Sequence, residues 1–174
     1  SNGNVVETQT PVADGSGAWA FDAAALADGT YTVNAATSDT AGNTATAGPN
    51  TFTVDTTAPS VTITAPADNT VTSDGTPTVS GNVNEAGSTV TVTITDSNGN
   101  VIETLTPTVG AGGGWTVDAS QLADGDYTVS ATATDAAGNT SAPVSNGFTV
   151  DTNAPTITIV TPASGTATSD NTPT

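Results

Sequence analysis

The chain has no lysine, arginine or histidine to set against 17 aspartates and glutamates, which gives a net charge of −17 over 174 residues. No carboxylate can find a cationic side chain within the protein, so each must turn to water, backbone N–H groups or a metal ion. Phosphate binding draws its affinity from Lys and Arg contacts that release counterions, so nucleic acid is excluded as a partner. Contact with anionic lipid is disfavoured for the same reason. Cysteine is absent too, which removes disulfides, thiolate nucleophiles and sulfur-ligated zinc sites together, while fitting any redox compartment. Without His, Cys or Lys the usual bases and nucleophiles are missing, and no serine has a triad context. A carboxylate pair that cleaves glycosides needs a sugar-sized cleft with aromatic platforms. The two tryptophans, Trp19 and Trp115, read as core residues instead, so the chain reads as no enzyme. No apolar run approaches the ~20 residues of a membrane span, and no charged-then-apolar signal pattern opens the chain. The sequence therefore reads as an internal piece of a longer protein, or as a chain exported without a cleaved N-terminal signal.

Hydrophobic residues make up only 34%, and low hydrophobicity with high net charge usually means disorder. Here the apolar residues instead alternate in short runs separated by turn residues, the pattern of folded β proteins. A long internal repeat organises them. Ser1 to Thr78 aligns without a gap on Ser97 to Thr174, an offset of 96. Trp19 then matches Trp115, Tyr31 matches Tyr127, Asp39 matches Asp135, Asp55 matches Asp151 and Asp74 matches Asp170. That period is too long for a solenoid repeat and suits a β-sandwich module of about 100 residues.

One period, from Asp55 to Val150, predicts seven strands. Val61–Thr64 is the first, and Pro66–Pro77 reads as a loop. Val79, Gly81 and Val83 share the inner face of the second, and Val90, Val92 and Ile94 that of the third, Thr89–Thr95, with four threonines outward. Asn98-Gly99 is a hairpin signal. Val101–Thr106 follows, where Ile102 and Leu105 do not share a face and so predict a bulge or an edge. Trp115 and Val117, then Tyr127 to Ala133, then Phe148 and Val150 complete the set. Leu122-Ala123-Asp124-Gly125-Asp126-Tyr127 reads as a tyrosine corner, repeated at Leu26 to Tyr31. The expected fold is all-β: tandem immunoglobulin-like antiparallel sandwiches. Residues 1–54 are expected to be a partial repeat (strands four to seven), 55–151 a complete one, and 152–174 the start of a third.

Three phrases sharpen this: Leu-Ala-Asp-Gly-Asp-Tyr-Thr-Val, Ala-Thr-Ala-Thr-Asp-Ala-Ala-Gly-Asn-Thr and Phe-Thr-Val-Asp-Thr-Asn-Ala-Pro. In this order they resemble the bacterial Ig-like tandem repeats of large biofilm-associated, type I secreted RTX-type adhesins. The resemblance implies a long fibre of such domains at the bacterial cell surface, calcium at the domain junctions, and a distal adhesive module that is not seen in these residues.

Alternate connections of a seven-strand sandwich fall at opposite ends. Asp55 in the linker Asp-Thr-Thr-Ala-Pro should therefore lie near Glu85 and near the Asp135–Asn139 loop of the following domain, with Asp28 approaching from the preceding side. Two carboxylates about 4 Å apart repel by on the order of 4 kcal/mol at an effective dielectric near 20, so such a cluster calls for a cation. Calcium, which takes 6 to 8 oxygen ligands in flexible geometry, suits it better than magnesium. The candidate ligands are Asp55, Asp135 and Asn139 with Glu85, the repeat equivalents Asp151, Asp39 and Asn43, the corner residues Asp28 and Asp124, and Asp74. Each has a plainer reading. Asp-Ala-Ala-Gly-Asn is also a turn in which Asp accepts backbone N–H bonds and Gly supplies positive φ. Asp28 and Asp124 also read as structural corner residues, and Asp96, Asp22 and Asp118 as turn or solvated positions.

Three functions follow. The first is the extender of an extracellular adhesin, stiffened by calcium and partnered by neighbouring repeats. The second is the subunit of a secreted filament or surface layer assembled by inter-chain strand complementation. The third is a glycan-binding module that presents the Thr89, Thr91, Thr93 and Thr95 ladder.

Overall fold

The computed structural model describes residues 4–160 together with 165, 167, 169 and 171. Asp170 lies outside the described residues. Ten strands follow in chain order: β1 Gly29–Ser38, β2 Thr44–Val54, β3 Val61–Ala65, β4 Thr70–Thr72, β5 Thr78–Val83, β6 Thr89–Asp96, β7 Val101–Leu105, β8 Gly114–Asp118, β9 Gly125–Thr134 and β10 Val144–Val150. Among the described residues there is no helix.

From β3 onward the strands form two sheets, one in the order β4-β10-β9-β6-β7 and one in the order β3-β5-β8. Period-two alternation explains how they close on each other. Along β6, Val90, Val92 and Ile94 are fully buried, while Thr91 and Thr93 between them are half-buried. Val79 and Val83 of β5, Trp115 of β8, Val129, Ala131 and Ala133 of β9, and Phe148 and Val150 of β10 meet them in one core. Gly81 lets this core close: a Cβ there would stand 1.9 Å from the Thr62 carbonyl oxygen and 2.3 Å from the Trp115 ring, so only a bare backbone can floor the indole.

All seven expected strands are present, and β7 is indeed the edge strand, with a register shift opposite Ile94 and Thr95. Ile102 points out, half exposed, while Leu105 packs against the core. The stretch Pro66–Pro77, expected to be a loop, is not wholly one. Its centre forms β4, which pairs in parallel with β10 through Thr70↔Phe148, Val71↔Thr149 and Thr72↔Val150. The tyrosine corner closes as expected in both copies, the hydroxyl of Tyr127 donating to the Ala123 carbonyl at 3.0 Å and that of Tyr31 to Ala27 at 2.8 Å.

Residues 4–54 differ from their later copies. β1 and β2 pair in the manner of β9 and β10, and Tyr31 stacks on Phe52 as Tyr127 does on Phe148. The strands expected near residues 5–9 and 18–22 are not formed. Their later equivalents depend on β6 and β5, and among the described residues β1 and β2 pair only with each other. Trp19, expected in a core, is 46% exposed and stacks on Phe21, whereas Trp115 is 3% exposed. The repeated Trp-x-apolar-Asp motif buries its indole only where a facing sheet supplies the other wall.

Candidate metal centre at the joint

Three stretches meet at one end of the sandwich: the linker entering β3, the β5–β6 turn and the β9–β10 turn. The β9–β10 turn is shaped by Asp135. Its Oδ1 accepts from the N–H groups of Ala137 (2.8 Å) and Asn139 (2.9 Å), and its Oδ2 from Nδ2 of Asn139 (2.8 Å). Gly138 takes φ 96°, a conformation that side-chain-bearing residues pay to adopt. The plain turn reading of Asp-Ala-Ala-Gly-Asn thus describes the local geometry well.

Among the described residues, the same turn with asparagine at its fifth position occurs twice more, and Asp14 makes it with Ala18 there. Asp39 gathers Ala41 and Asn43, and Asp96 gathers Asn98 and Asn100, with matching distances and with Gly42 and Gly99 at positive φ. Of these, only Asp135 belongs to a group of three close acidic side chains among the described residues. Carboxylate oxygens of Asp55, Glu85 and Asp135 all lie within 4.8 Å of one another, with Asp135 buried and the other two half-buried. Asn139 ties the group together, because its Nδ2 also donates to the backbone carbonyl of Asp55 at 2.9 Å. The linker aspartate and the turn aspartate therefore meet, as the topology argument expected, and Glu85 joins them.

The other candidates lie elsewhere. Asp39 and Asn43 form the first copy's turn, outside this group. Asp74 accepts from the N–H (2.8 Å) and hydroxyl (3.0 Å) of Thr76, which closes a local turn. Asp151 accepts from Asn153 N at 3.1 Å, and among the described residues no pair of acidic side chains gathers around it as Glu85 and Asp135 gather around Asp55. Asp28, expected to approach the seam as a donor to the ion, does reach the linker but spends its carboxylate there on Thr56 and Thr57. Asp124 does the same with Thr152 and Asn153. Sequence reasoning overlooked these hydroxyl and amide partners, although their signal was visible in both linkers as Asp-Thr-Thr and Asp-Thr-Asn.

Donors hold several of these carboxyls below the ordinary carboxylate range. For Asp135 the Asn139 side-chain amide contributes most, opposed by desolvation and helped by the backbone N–H groups of the turn. For Asp39 and Asp96 it is the amide of Asn43 and of Asn100. For Asp28 it is the Thr56 hydroxyl, and for Asp124 the Thr152 N–H. A depressed folded value stabilises the fold above the unfolded value, and that stability is lost as pH falls through the folded one. With no histidine in the chain, the melting temperature in chelator should be flat from about pH 9 to about pH 5 and fall below about pH 4, the ordinary Asp range. A step near pH 6.5 in a thermal melt series would contradict this.

The chemistry of the group is one that could hold a hard cation. Three carboxylates with no cationic side chain anywhere in the chain supply only oxygen donors, which match calcium in type and tolerate its irregular geometry. Hydrogen bonds hold Asp135 and Asn139 in place, so these residues are oriented before any ion arrives.

The family model described as "Bacterial Ig-like domain" matches residues 1–56 and 60–152. Among solved structures, a tetra-tandem repeat in the extending region of a large adhesion protein is 34% identical, with 73% of this chain and 33% of that one covered and a TM-score of 0.47. Fibronectin(III)-like modules of Clostridium thermocellum CbhA are 19% identical over 84% of this chain and 82% of theirs, TM-score 0.44. An engineered protein is 34% identical over 53% of this chain and 20% of its own length, TM-score 0.45. The chain thus spans about a third of the adhesion-protein repeat structure and a fifth of the engineered one. No curated protein sequence matches the chain.

Proposed function

Since the chain belongs to the bacterial Ig-like domain family, we propose that it is a non-catalytic extender segment of an extracellular bacterial adhesin, with calcium stiffening the joints between successive sandwiches. Residues 55–151 are the complete unit in this reading, and 1–54 and 152–174 belong to its neighbours. The observation that carries it is the meeting of Asp55, a linker residue, with Glu85 and Asp135 of the following sandwich. Ligands drawn from linker and domain turn ion binding into a constraint on the angle between units. Carboxylates that repel when alone hold the linker against the domain once a divalent cation lies between them.

Mechanically this suits a spacer. An array with loose joints coils and loses reach, while one with fixed joints holds whatever it carries at a distance. The adhesin role rests on the family and on the repeat organisation. The adhesive module would lie on another part of the parent protein.

Small-angle scattering and thermal melting of the full chain, in calcium and in chelator, test the proposal. Calcium is expected to raise the melting temperature and lengthen the largest solution dimension. A ligand at 100 times its Kd stabilises by about 2.7 kcal/mol, a shift that a thermal melt resolves easily. Identical melts and identical scattering curves in the two buffers would refute the calcium reading. Light scattering at several concentrations should give the monomer mass, and a mass growing with concentration would favour a filament instead.

A further inference from the structure

On the reading that an ion fixes the joint, we propose that Asp28 and Asp124 are cation-independent latches, each locking a linker to the domain before it.

The two joints carry the same construction 96 residues apart. Asp28 Oδ1 accepts from the Thr56 N–H at 2.9 Å and the Thr56 hydroxyl at 2.7 Å, and Oδ2 accepts from the Thr57 hydroxyl at 2.8 Å. Asp124 Oδ1 accepts from the Thr152 N–H at 2.9 Å and its hydroxyl at 2.7 Å, and Oδ2 accepts from Nδ2 of Asn153. Thr57 and Asn153 differ in chemistry, yet each delivers a donor to the same carboxylate oxygen. What separates these two aspartates from Asp135, whose oxygens are also hydrogen-bonded, is that neither joins the Asp55, Glu85 and Asp135 group. The mount is rigid as well: the tyrosine-corner hydrogen bond lands on Ala27 in one copy and Ala123 in the other, one residue before each aspartate.

The following domain grips different atoms of the same linker. Asn139 holds the Asp55 carbonyl, Pro59 is buried, and Ser60 exchanges hydrogen bonds with Asn84, donating to Asn84 Oδ1 at 2.7 Å and accepting from its N–H at 3.1 Å. Thr56 and Thr57 are therefore held from behind, and Asp55 and Pro59 from in front. Ala58 is the exposed residue between Thr57 and Pro59.

The chain has no cysteine, so Thr46→Cys with Ser97→Cys gives a clean spin-label pair across the joint at two exposed positions. Distance distributions in this background, with and without Asp28→Ala, in calcium and in chelator, supply the test. Asp28→Ala is expected to broaden the distribution in both buffers, and Thr56→Val with Thr57→Val should reproduce the effect. Calcium affinity by calorimetry should stay within a few-fold of the parent. The cooperative melt of the β3–β10 sandwich should not move, which shows that the variants fold. An unchanged distribution in both buffers would overturn the latch, and so would a tenfold or greater loss of calcium affinity, which would make Asp28 a ligand. If calcium has no effect on the parent while Asp28→Ala still broadens the distribution, the latch stands and the calcium reading fails.

Discussion

Asp135→Ala is expected to abolish calcium binding at the joint and, with it, every calcium-dependent gain in melting temperature. The loss should exceed the 10–100-fold typical of removing an outer-shell partner, because Asp135 is the buried member of the acidic group and also fixes its neighbours. Its carboxylate organises the turn through Ala137 and Asn139, and Asn139 in turn holds Asp55. Removing the carboxylate deletes a ligand and leaves three donors without their acceptor, so the apo protein should also melt lower. Asn139→Ala, which spares all three carboxylates, should fall within the 10–100-fold range. The discriminating control is Asp96→Ala. It destroys the same hydrogen-bonded turn outside the Asp55, Glu85 and Asp135 group, so calorimetry should show calcium binding unchanged. Equal loss from Asp96→Ala and Asp135→Ala would mean that the effect belongs to turns in general.

Gly81→Ala is expected to be strongly destabilising. Overpacking a well-filled core typically costs about 1–3 kcal/mol, and this site should exceed that range. The first obstacle, 1.9 Å away, is the Thr62 backbone carbonyl of the paired strand β3, and the second is the Trp115 ring at 2.3 Å. Neither is the free end of a flexible chain, so the methyl must part β3 from β5 or expel the indole. Against a total stability of roughly 5–15 kcal/mol, urea unfolding should shift to a far lower midpoint, and Trp115 fluorescence should report an exposed ring already in buffer. A midpoint within error of the parent would show that the sheets give way more easily than the packing implies. Gly87→Ala, at φ 95° with nothing within 4 Å, isolates the backbone term and should cost only about 1–2 kcal/mol.

Much of the sandwich was legible from period-two alternation, because the expected strands apart from β7 each pack one face inward and wet the other. β4 was not. It is three residues long, its single apolar residue Val71 is 68% exposed, and it exists through parallel pairing with β10, a partner some 78 positions away. Local patterning carries no trace of such a contact. Trp19 failed for the complementary reason: its motif copies that of Trp115, but burial depends on the strand opposite. At the joint, topology alone brought Asp55, Glu85 and the Asp135 turn to the same end. What it could not show was how each carboxylate is used. Asp96 and Asp135 make the same turn and differ in their surroundings, and Asp28 reaches the linker through threonine donors but stands outside the acidic group.

The central claim concerns Asp55, Glu85 and Asp135, and an anomalous difference map from crystals of the chain grown in calcium tests it most directly. The account predicts a peak at 2.3–2.6 Å from carboxylate oxygens of all three residues, the range of calcium–oxygen distances, and none at the Asp96 turn. No peak among them at saturating calcium, or one held by Asp28 with Thr56 and Thr57 instead, would contradict it.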